Sequence, residues 1–358
     1  MSIKQIQINN FRLFESVKFE PGSQLNIIYG KNASGKTTLL EAIYFLSRGR
    51  SFRSQYSDRL INSDNDFFQI VSKIEYENKI IPVGIRRENR KTKVRFDGTD
   101  LDKLSRLSAA IPVQLIQPDS HKLVEEGPSV RRKFLDWGLF HVEQDFQNLS
   151  TRYRHALKQR NAALRLRQSR TLVMAWDKEL SETGTLIDEM REAYIVKLKN
   201  SLPEYIQFQL GKINLDLKYY KGWKTDRSLP ESLESNLPVD LDRGFTSTGI
   251  HRADLKFTID GVPAEDKLSR GQQKILVSTL LLIQAKLFQT LTGRKCILLI
   301  DDVAAELDAT RKERLVEILR QNQFQLFVTS IEPDPVWDLA MPERTSIECI
   351  EGQAMLRE

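Results

Sequence analysis

The stretch Gly30-Lys-Asn-Ala-Ser-Gly35-Lys36-Thr37 decides the fold, because it matches the phosphate-binding pattern GxxxxGK[ST]. The apolar run Leu25-Asn-Ile-Ile-Tyr29 predicts a buried strand before it, and apolar residues at helical spacing predict a helix after it, to about Ser47. In such a loop, backbone N–H groups and the helix N-terminus bind phosphate. We therefore predict a nucleoside-triphosphate site in an α/β domain.

The individual loop residues have distinct expected roles. Lys36 is predicted to reach the β- and γ-phosphates, and the Thr37 hydroxyl to ligate Mg²⁺. The residues expected to surround the nucleotide are Gly30, Lys31, Asn32, Ala33, Ser34, Gly35, Lys36, Thr37 and Thr38.

A second apolar run, Cys296–Ile300, ends in Asp301 and Asp302 and predicts a parallel strand buried on both faces. Ligands bind at the carboxyl ends of such strands. Asp301 is therefore predicted to hold Mg²⁺ and Asp302 to polarise an attacking water, so that Lys36, Asp301 and Asp302 form the catalytic set. Acidic strand ends also occur in ordinary turns, so this interpretation depends on the phosphate loop in the same chain.

The third motif is Leu268-Ser269-Arg270-Gly271-Gln272-Gln273, which leads into an apolar helix. Ser269 is either only a helix N-cap or part of an anion site with the Gly271 N–H and the helix N-terminus. No phosphate is expected from its own half of the molecule.

The remaining pattern predicts an α/β core interrupted by a mostly helical insert. We expect the core to comprise residues 1–128 and 290–358 and the helical lobe, with the Ser269 motif, residues 129–289. Lys221–Pro238 has the composition of an exposed connection. The other predicted elements are strands in 3–29, 67–96, 113–116, 255–259 and 325–329, and helices in 129–201, 269–287 and 310–321.

Composition excludes several classes of protein. The chain has 358 residues, 40% hydrophobic and 28% charged, enough for one large or two moderate domains. It contains neither an 18-residue apolar run nor an N-terminal signal core, so we expect no membrane span and no secretion. Two cysteines and four histidines form neither a disulfide framework nor a metal-ligand spacing. We expect a cytoplasmic protein.

The net charge of +6 is unevenly distributed. Residues 131–170 hold ten basic and three acidic side chains, and residues 86–95 hold six basic side chains and one acidic. Such runs meet nucleic acid, an acidic partner or water.

The order of phosphate loop, LSxGQ, acidic strand and Ala305-Glu-Leu-Asp308 resembles the ABC-type ATPase family. This resemblance implies ATP and Mg²⁺ as cofactors, and a homodimer in which Ser269, Gly271 and Gln272 contact the nucleotide of the other subunit. The fold class implied is an ABC-type ATPase head: a mixed β-sheet lobe plus a mostly α-helical lobe. Lys36 and Ser269 stand 233 positions apart, too few for long coiled-coil arms.

A closer resemblance is to the RecF family of bacterial recombination-repair proteins. It implies an ATP-dependent dimer that binds double-stranded DNA and single-strand/double-strand junctions and that helps RecO and RecR to load recombinase. The matching segments are Asn10–Phe14, Gly30–Thr37, Gly49–Arg53, Gly127–Gly138, Leu157–Leu164, His251–Leu255 and Leu268–Gln272.

The resemblance also implies roles for single residues. Arg12 lies near the base or ribose, or is a solvated surface arginine. Gln117, or else Gln114, is the glutamine-loop residue, and His251 either faces the nucleotide or packs structurally. The candidate DNA contacts, some of which could instead pair with acids inside the helical lobe, are Arg131, Arg132, Arg152, Arg154, Lys158 and Arg160.

Two departures from the ABC pattern predict slow hydrolysis, with ATP acting mainly as a dimerisation switch. Asp302 stands where most members have a longer glutamate, and the last strand ends in Val328-Thr329-Ser330 without the switch histidine. The principal alternative is a nucleotide-binding subunit of another ABC-type ATPase, of the transport or SMC-like kind. A small-molecule kinase has no use for LSxGQ, and a helicase or nuclease needs motor motifs or a metal cluster.

Overall fold

The computed structural model describes residues 1–302, 309–322, 324–332, 337 and 344–357. The chain divides into two compact units: unit 1 comprises residues 1–120 and 288–358, and unit 2 comprises residues 121–287. The sequence predicted the boundaries at 128/129 and 289/290. The motif Ala305–Asp308 lies outside the described residues.

Unit 1 contains an antiparallel sheet in the order β2-β1-β4-β5-β6-β7. Buried and more exposed side chains alternate along its strands, because one face of the sheet packs on the core and the other faces solvent. In β1, for example, Ile6 and Ile8 are buried. The strands are β1 Ser2–Phe11, β2 Phe14–Phe19, β4 Phe67–Tyr76, β5 Lys79–Glu88, β6 Lys91–Phe96 and β7 Thr99–Asp100.

A second, mixed sheet of unit 1 has the order β15-β14-β3-β13-β12-β8, where β3 spans Leu25–Tyr29 and β12 spans Ile297–Ile300. All neighbours are parallel except the edge strand β15. The carboxyl ends of β3, β8, β12 and β13 therefore meet at one edge, where the predicted site residues follow them. The other strands are β8 Val113–Ile116, β13 Gln325–Ser330, β14 Arg344–Ile350 and β15 Gln353–Arg357.

The helices of unit 1 are α1 Lys36–Arg48, α2 Leu104–Ala110 and α11 Ala309–Asn322. Helix α1 follows the phosphate loop, and its buried residues Leu39, Leu40 and Ile43 belong to the same apolar core as Ile6 and Ile8. The loop is thus fixed between a core strand and a core helix.

Unit 2 is mostly helical around a separate apolar core. It also contains a small antiparallel sheet in the order β11-β10-β9. The strands are β9 Leu215–Tyr220, β10 Asp254–Ile259 and β11 Val262–Pro263. The helices are α3 Lys122–Glu125, α4 Pro128–Val142, α5 Phe146–Arg165, α6 Arg170–Met174, α7 Asp177–Leu210, α8 Leu229–Arg243, α9 Ala264–Lys267 and α10 Arg270–Thr292, which continues past the unit boundary.

The prediction of an exposed connection over 221–238 was wrong from residue 229 onward, because helix α8 begins at Leu229. Ser228 accepts a hydrogen bond from the Glu231 N–H, and the Glu231 carboxylate accepts one from the Ser228 N–H. This reciprocal capping box satisfies two backbone donors at the helix start and outweighs the polar composition.

Helix α10 is long and apolar enough to cross a membrane, and it is the one such helix among the described residues. Its apolar window is 67% buried inside the protein. The apolar face of α10, with Leu276, Leu280 and Ile283, belongs to the core of unit 2.

Candidate nucleotide site and nucleic-acid surface

The phosphate loop connects β3 to α1 through three residues with positive φ: Gly30 at 147°, Ala33 at 64° and Gly35 at 117°. A Cβ atom on Gly30 would lie 2.3 Å from the Cys349 carbonyl oxygen, and one on Gly35 would lie 2.9 Å from the Phe14 ring. Both glycines are therefore required by close contacts as well as by backbone conformation.

Lys36 is held inside this loop. Its ammonium donates hydrogen bonds to the carbonyl oxygens of Gly30 (2.6 Å) and Lys31 (2.9 Å), and the residue is 8% exposed. The Ser34 hydroxyl nearby is buried and has no hydrogen-bond partner among the described residues. A cation and an unpartnered hydroxyl beside the N-terminus of helix α1 fit a phosphate group.

The sheet places Asp301 against the first turn of α1. The Thr37 hydroxyl donates a 3.0 Å hydrogen bond to Asp301 Oδ1, and the Thr329 hydroxyl donates a 2.9 Å bond to the same oxygen. The Thr329 oxygen in turn accepts a 2.8 Å bond from the Asp302 N–H. Thr329, which no sequence motif marks, thus positions both acidic residues.

These residues fit a magnesium ion. Burial raises the pKa of the Asp301 carboxyl, while the hydrogen bonds from Thr329 and Thr37 lower it. A divalent cation would favour the ionised form of that carboxyl and would take oxygen ligands from Thr37 and Asp301. No cluster of three or more His, Cys, Asp or Glu side chains suited to a metal occurs in the described part of the chain.

Asp302 adopts a left-handed backbone conformation, with φ of 52°. Its Oδ1 atom is buried and lacks a hydrogen-bond partner among the described residues. A carboxylate oxygen in this state is an acceptor suited to an incoming polar group such as a water molecule.

The two glutamine candidates differ in position. Gln117 follows β8 at the same sheet edge as Asp301, whose N–H bonds to the Ile116 carbonyl at 2.8 Å. Gln114 lies within β8, beside Leu298 of β12, and is 5% exposed. The geometry therefore favours Gln117 for the site.

Arg12, in the turn between β1 and β2, is bound to helix α1. Its guanidinium forms a two-point ion pair with Glu41, whose side chain is fully buried, and one of the two bonds measures 2.8 Å. Glu41 also accepts a hydrogen bond from Ser51 and lies 3.6 Å from Arg53. Arg12 is thus a fixed side chain, 23% exposed, beside the helix that carries Lys36 and Thr37.

The Ser269 motif forms the start of helix α10 in unit 2. The Ser269 hydroxyl accepts a hydrogen bond from the Gln272 N–H (3.4 Å), and the Gln272 side-chain oxygen accepts one from the Ser269 N–H (3.0 Å). Ser269 and Arg270 are exposed, and Gly271 and Gln272 are partly exposed. Ser269 therefore caps helix α10, and the capped helix start faces solvent within unit 2.

The six predicted DNA contacts fall into two groups. Arg160 is fully buried and forms ion pairs with Asp177 and Asp240, both 2.6 Å long. Its assignment as a DNA contact is therefore corrected, because a buried and paired guanidinium cannot meet a phosphate.

Three further arginines of this set bind partners of unit 2, and one of them, Arg152, does so at the surface. Arg131 binds Asp254 at two points and is 11% exposed, Arg132 donates to the Ala253 carbonyl, and Arg152 binds Glu179 at two points. Arg154 and Lys158 are exposed.

His251 packs structurally within unit 2. Its Nδ1 atom lies 2.7 Å from the Tyr153 hydroxyl, and its Nε2 atom lies 3.0 Å from the Thr246 carbonyl oxygen. Burial lowers the pKa of His251 to about 4. The neutral ring therefore donates from Nε2 to Thr246 and accepts from Tyr153 at Nδ1.

Comparison with known proteins agrees with this geometry. A family model described as the RecF/RecN/SMC N-terminal domain matches residues 2–345. The DNA replication and repair protein RecF of Shewanella piezotolerans is 39% identical over 339 residues, 94% of each chain, and that of Shewanella amazonensis is 40% identical over the same shares.

Solved structures show the same fold. The recombination mediator protein RecF with ATP, in the RecFOR pathway, has a TM-score of 0.89 at 27% identity, over 100% of this chain and 98% of that one. The Smc head of Pyrococcus furiosus has a TM-score of 0.60 at 12% identity, over 99% and 96%. The predicted fold class, an ABC-type ATPase head with a mostly helical second lobe, is confirmed. The chain belongs to the RecF family of DNA replication and repair proteins.

Proposed function

We propose that this protein is a cytoplasmic, ATP-dependent DNA-binding protein of recombinational repair and replication-fork restart. One observation carries the proposal. Lys36 lies within the phosphate loop and Thr37 bonds to Asp301 in unit 1, while the capped and solvent-facing Ser269 motif lies in unit 2. A second copy of the chain would supply the phosphate that the Ser269 motif needs, so that ATP joins two copies into a homodimer.

Within the nucleotide site, each residue has a separate task. Lys36 would exchange its carbonyl partners for phosphate oxygens, and Thr37 and Asp301 would hold Mg²⁺, which neutralises phosphate charge. Thr329 keeps the Asp301 carboxylate directed at Thr37. Asp302 would accept a proton from water, and its short side chain supports a weak ATPase whose hydrolysis resets the dimer.

The DNA-binding part of the proposal rests on Arg154 and Lys158, the exposed members of the predicted set that form no ion pair within the described residues. Contacts of this kind bind backbone phosphates, so affinity should fall steeply with salt and show little base specificity. We propose gapped or single-strand/double-strand junction DNA as the substrate, and RecR and RecO as partners in loading recombinase. The similarity to the solved structure of RecF with ATP, in the RecFOR pathway, supports this assignment.

The experiment measures dimerisation and DNA binding together, with ATP, with ADP and without nucleotide, on continuous and gapped duplexes. Sedimentation velocity gives the oligomeric state, and fluorescence anisotropy gives DNA affinity. We expect the wild-type protein to dimerise and bind only with ATP. Lys36→Met should lose both properties, since it removes the phosphate-binding cation.

Asp302→Asn is the matched control, because it retains the side-chain volume and removes the proposed proton acceptor. This variant should dimerise and bind DNA with ATP, while its ATP turnover falls by roughly 10²-fold or more. Failure of Asp302→Asn to dimerise would contradict the division of roles. DNA binding by monomers without nucleotide would overturn the dimer proposal itself.

A further inference from the structure

The segment from Phe146 to Trp176 contains seven basic residues and no acidic one. The structure separates them into two groups. Arg152 and Arg160 are neutralised by acids of unit 2. Five side chains are exposed and form no ion pair within the described ranges: Arg154, Lys158, Arg165, Arg167 and Arg170.

Three of these cations form a straight row on helix α5, which we call the basic ridge: Arg154, Lys158 and Arg165. Their spacing of i, i+4 and i+11 places them within about 40° of one helix face, because each residue turns the helix by about 100°. The row is about 16 Å long at 1.5 Å per residue. It leads directly to the end of α5.

The turn after α5, which we call the tip (Leu166–Leu172), is built as a defined helix end. The Arg167 N–H bonds to the Leu164 carbonyl and the Gln168 N–H bonds to the Ala163 carbonyl, both at 3.0 Å. This is the Schellman pattern, whose left-handed position normally holds glycine. Here that position is Arg167, with φ of 49°. Arg167 thus adopts a left-handed backbone conformation that is strained for any residue other than glycine, and its side chain lies at the turn after α5.

The tip is anchored by buried apolar residues and also carries two exposed leucines. Ala163, Leu164 and Val173 form a small buried cluster with Leu237 of α8. Leu166, by contrast, is 71% exposed, and Leu172 is 54% exposed. A fixed turn therefore presents a leucine between arginines, and this leucine contributes nothing to the core.

We propose that the basic ridge and the tip form a DNA-binding element of unit 2, in which the ridge binds backbone phosphates and Leu166 packs on an unpaired base where a duplex passes into a single strand. The proposal rests on the proposed DNA-binding function and names the surface that performs it. Guanidinium groups suit phosphate oxygens through paired hydrogen bonds, and four of the five cations are arginines. Minor-groove proteins combine basic side chains with apolar ones, including leucine, that contact partly unstacked bases. An acidic protein partner is the competing outcome.

The test compares two triple variants that remove the same charge. The tip variant is Arg165→Gln/Arg167→Gln/Arg170→Gln. The control is Lys212→Gln/Lys218→Gln/Lys224→Gln, which changes three exposed lysines elsewhere on unit 2. Anisotropy with ATP is measured over a range of salt concentrations, on a duplex and on the same duplex with a single-stranded extension.

We expect the tip variant to lose roughly tenfold or more in affinity for both DNAs, and its salt slope to fall by about 2–3. The control should change affinity less than about twofold. Leu166→Ala should lose roughly fivefold on the extended duplex only, with its salt slope unchanged, because it removes apolar contact area and no charge. Arg167→Gly should raise the melting temperature while it weakens DNA binding, because glycine relieves the strained conformation and removes the contact.

The possible failures are distinguishable. A wild-type protein that binds neither DNA with ATP overturns the proposed function and this inference together. A wild-type protein that binds DNA, with equal affinities for the tip and control variants, overturns only the inference. The tip variant could instead keep its DNA affinity and lose co-sedimentation with RecR. That result would assign the tip to a protein partner and refute the DNA contact.

Discussion

Replacing Arg160 with methionine tests whether the basic run of unit 2 is partly an internal ion network. Arg160 is fully buried, and its Nη1 atom donates to Asp240 at 2.6 Å and to Thr246 at 2.9 Å. Its Nε atom donates to Asp177 at 2.6 Å. Asp240 is also fully buried, so removal of the guanidinium leaves an uncompensated carboxylate in the core.

The expected loss follows from this geometry. Breaking a buried ion pair by removing one partner costs about 3–5 kcal/mol, more than the loss of a surface pair at about 0–1 kcal/mol. Part of the loss should return in Arg160→Met/Asp240→Asn, since the second change removes the unpaired charge. The wild-type protein therefore has a coupling between the two positions that a double-mutant cycle measures.

Urea unfolding followed by tryptophan fluorescence is a suitable assay, because Trp137, Trp176 and Trp223 lie in unit 2 and only Trp337 lies in unit 1. The salt dependence of DNA binding is measured on the same variant under conditions where it is folded. A stability loss under 1 kcal/mol together with a reduced salt slope would refute the internal role and return Arg160 to the DNA contacts.

Further predictions address other parts of the structure. Thr329→Val removes the hydrogen bond to Asp301 and the acceptor for the Asp302 N–H, so ATP turnover should fall by about 10–100-fold while Thr329→Ser retains it, as measured by phosphate release. The lowered pKa of His251, about 4, means that the unfolded chain binds more protons between pH 6.5 and 4. The free energy of unfolding should therefore fall by up to about 3 kcal/mol as the pH decreases from 6.5 to 4. His251→Gln should lack this contribution to the pH dependence, as measured by urea titrations at pH 6.5 and at pH 4. Ser228→Ala should lose about 1 kcal/mol through the missing cap of α8, with DNA affinity unchanged; an unchanged urea midpoint would contradict the capping role.

The phosphate loop and the acidic strand could be predicted from the sequence because their chemistry is local. This glycine pattern, between a buried strand and a helix, is typical of one structure, the phosphate-binding loop. Asp301 directly follows an apolar run, so the sequence itself shows where the strand ends. Thr329 could not be selected in this way. Its role depends on β13 lying beside β12, and that strand order is set by pairing between segments distant along the chain.

Helix α8 is a different case, because its signal was present in the sequence. Ser228 followed three positions later by Glu231, with Pro230 between them, is a helix start, but the composition of the surrounding segment favours a loop. The hydrogen bonds between side chains and backbone at Ser228 and Glu231 determine the structure of this segment, and its average composition does not.

The same distinction applies to the positive charge of unit 2. A run of basic residues specifies only how much charge is present, whereas burial and pairing decide which of it is available to a ligand. Arg160 is neutralised by acids 17 and 80 positions away, which no local pattern contains. Arg154 and Lys158, on the same helix, remain exposed because their helix face turns to solvent. The charge available for DNA is therefore a property of the folded helix α5. Neutralising the cations on its exposed face should weaken DNA binding far more than it lowers stability. Neutralising the buried Arg160 should lower stability far more than it weakens DNA binding.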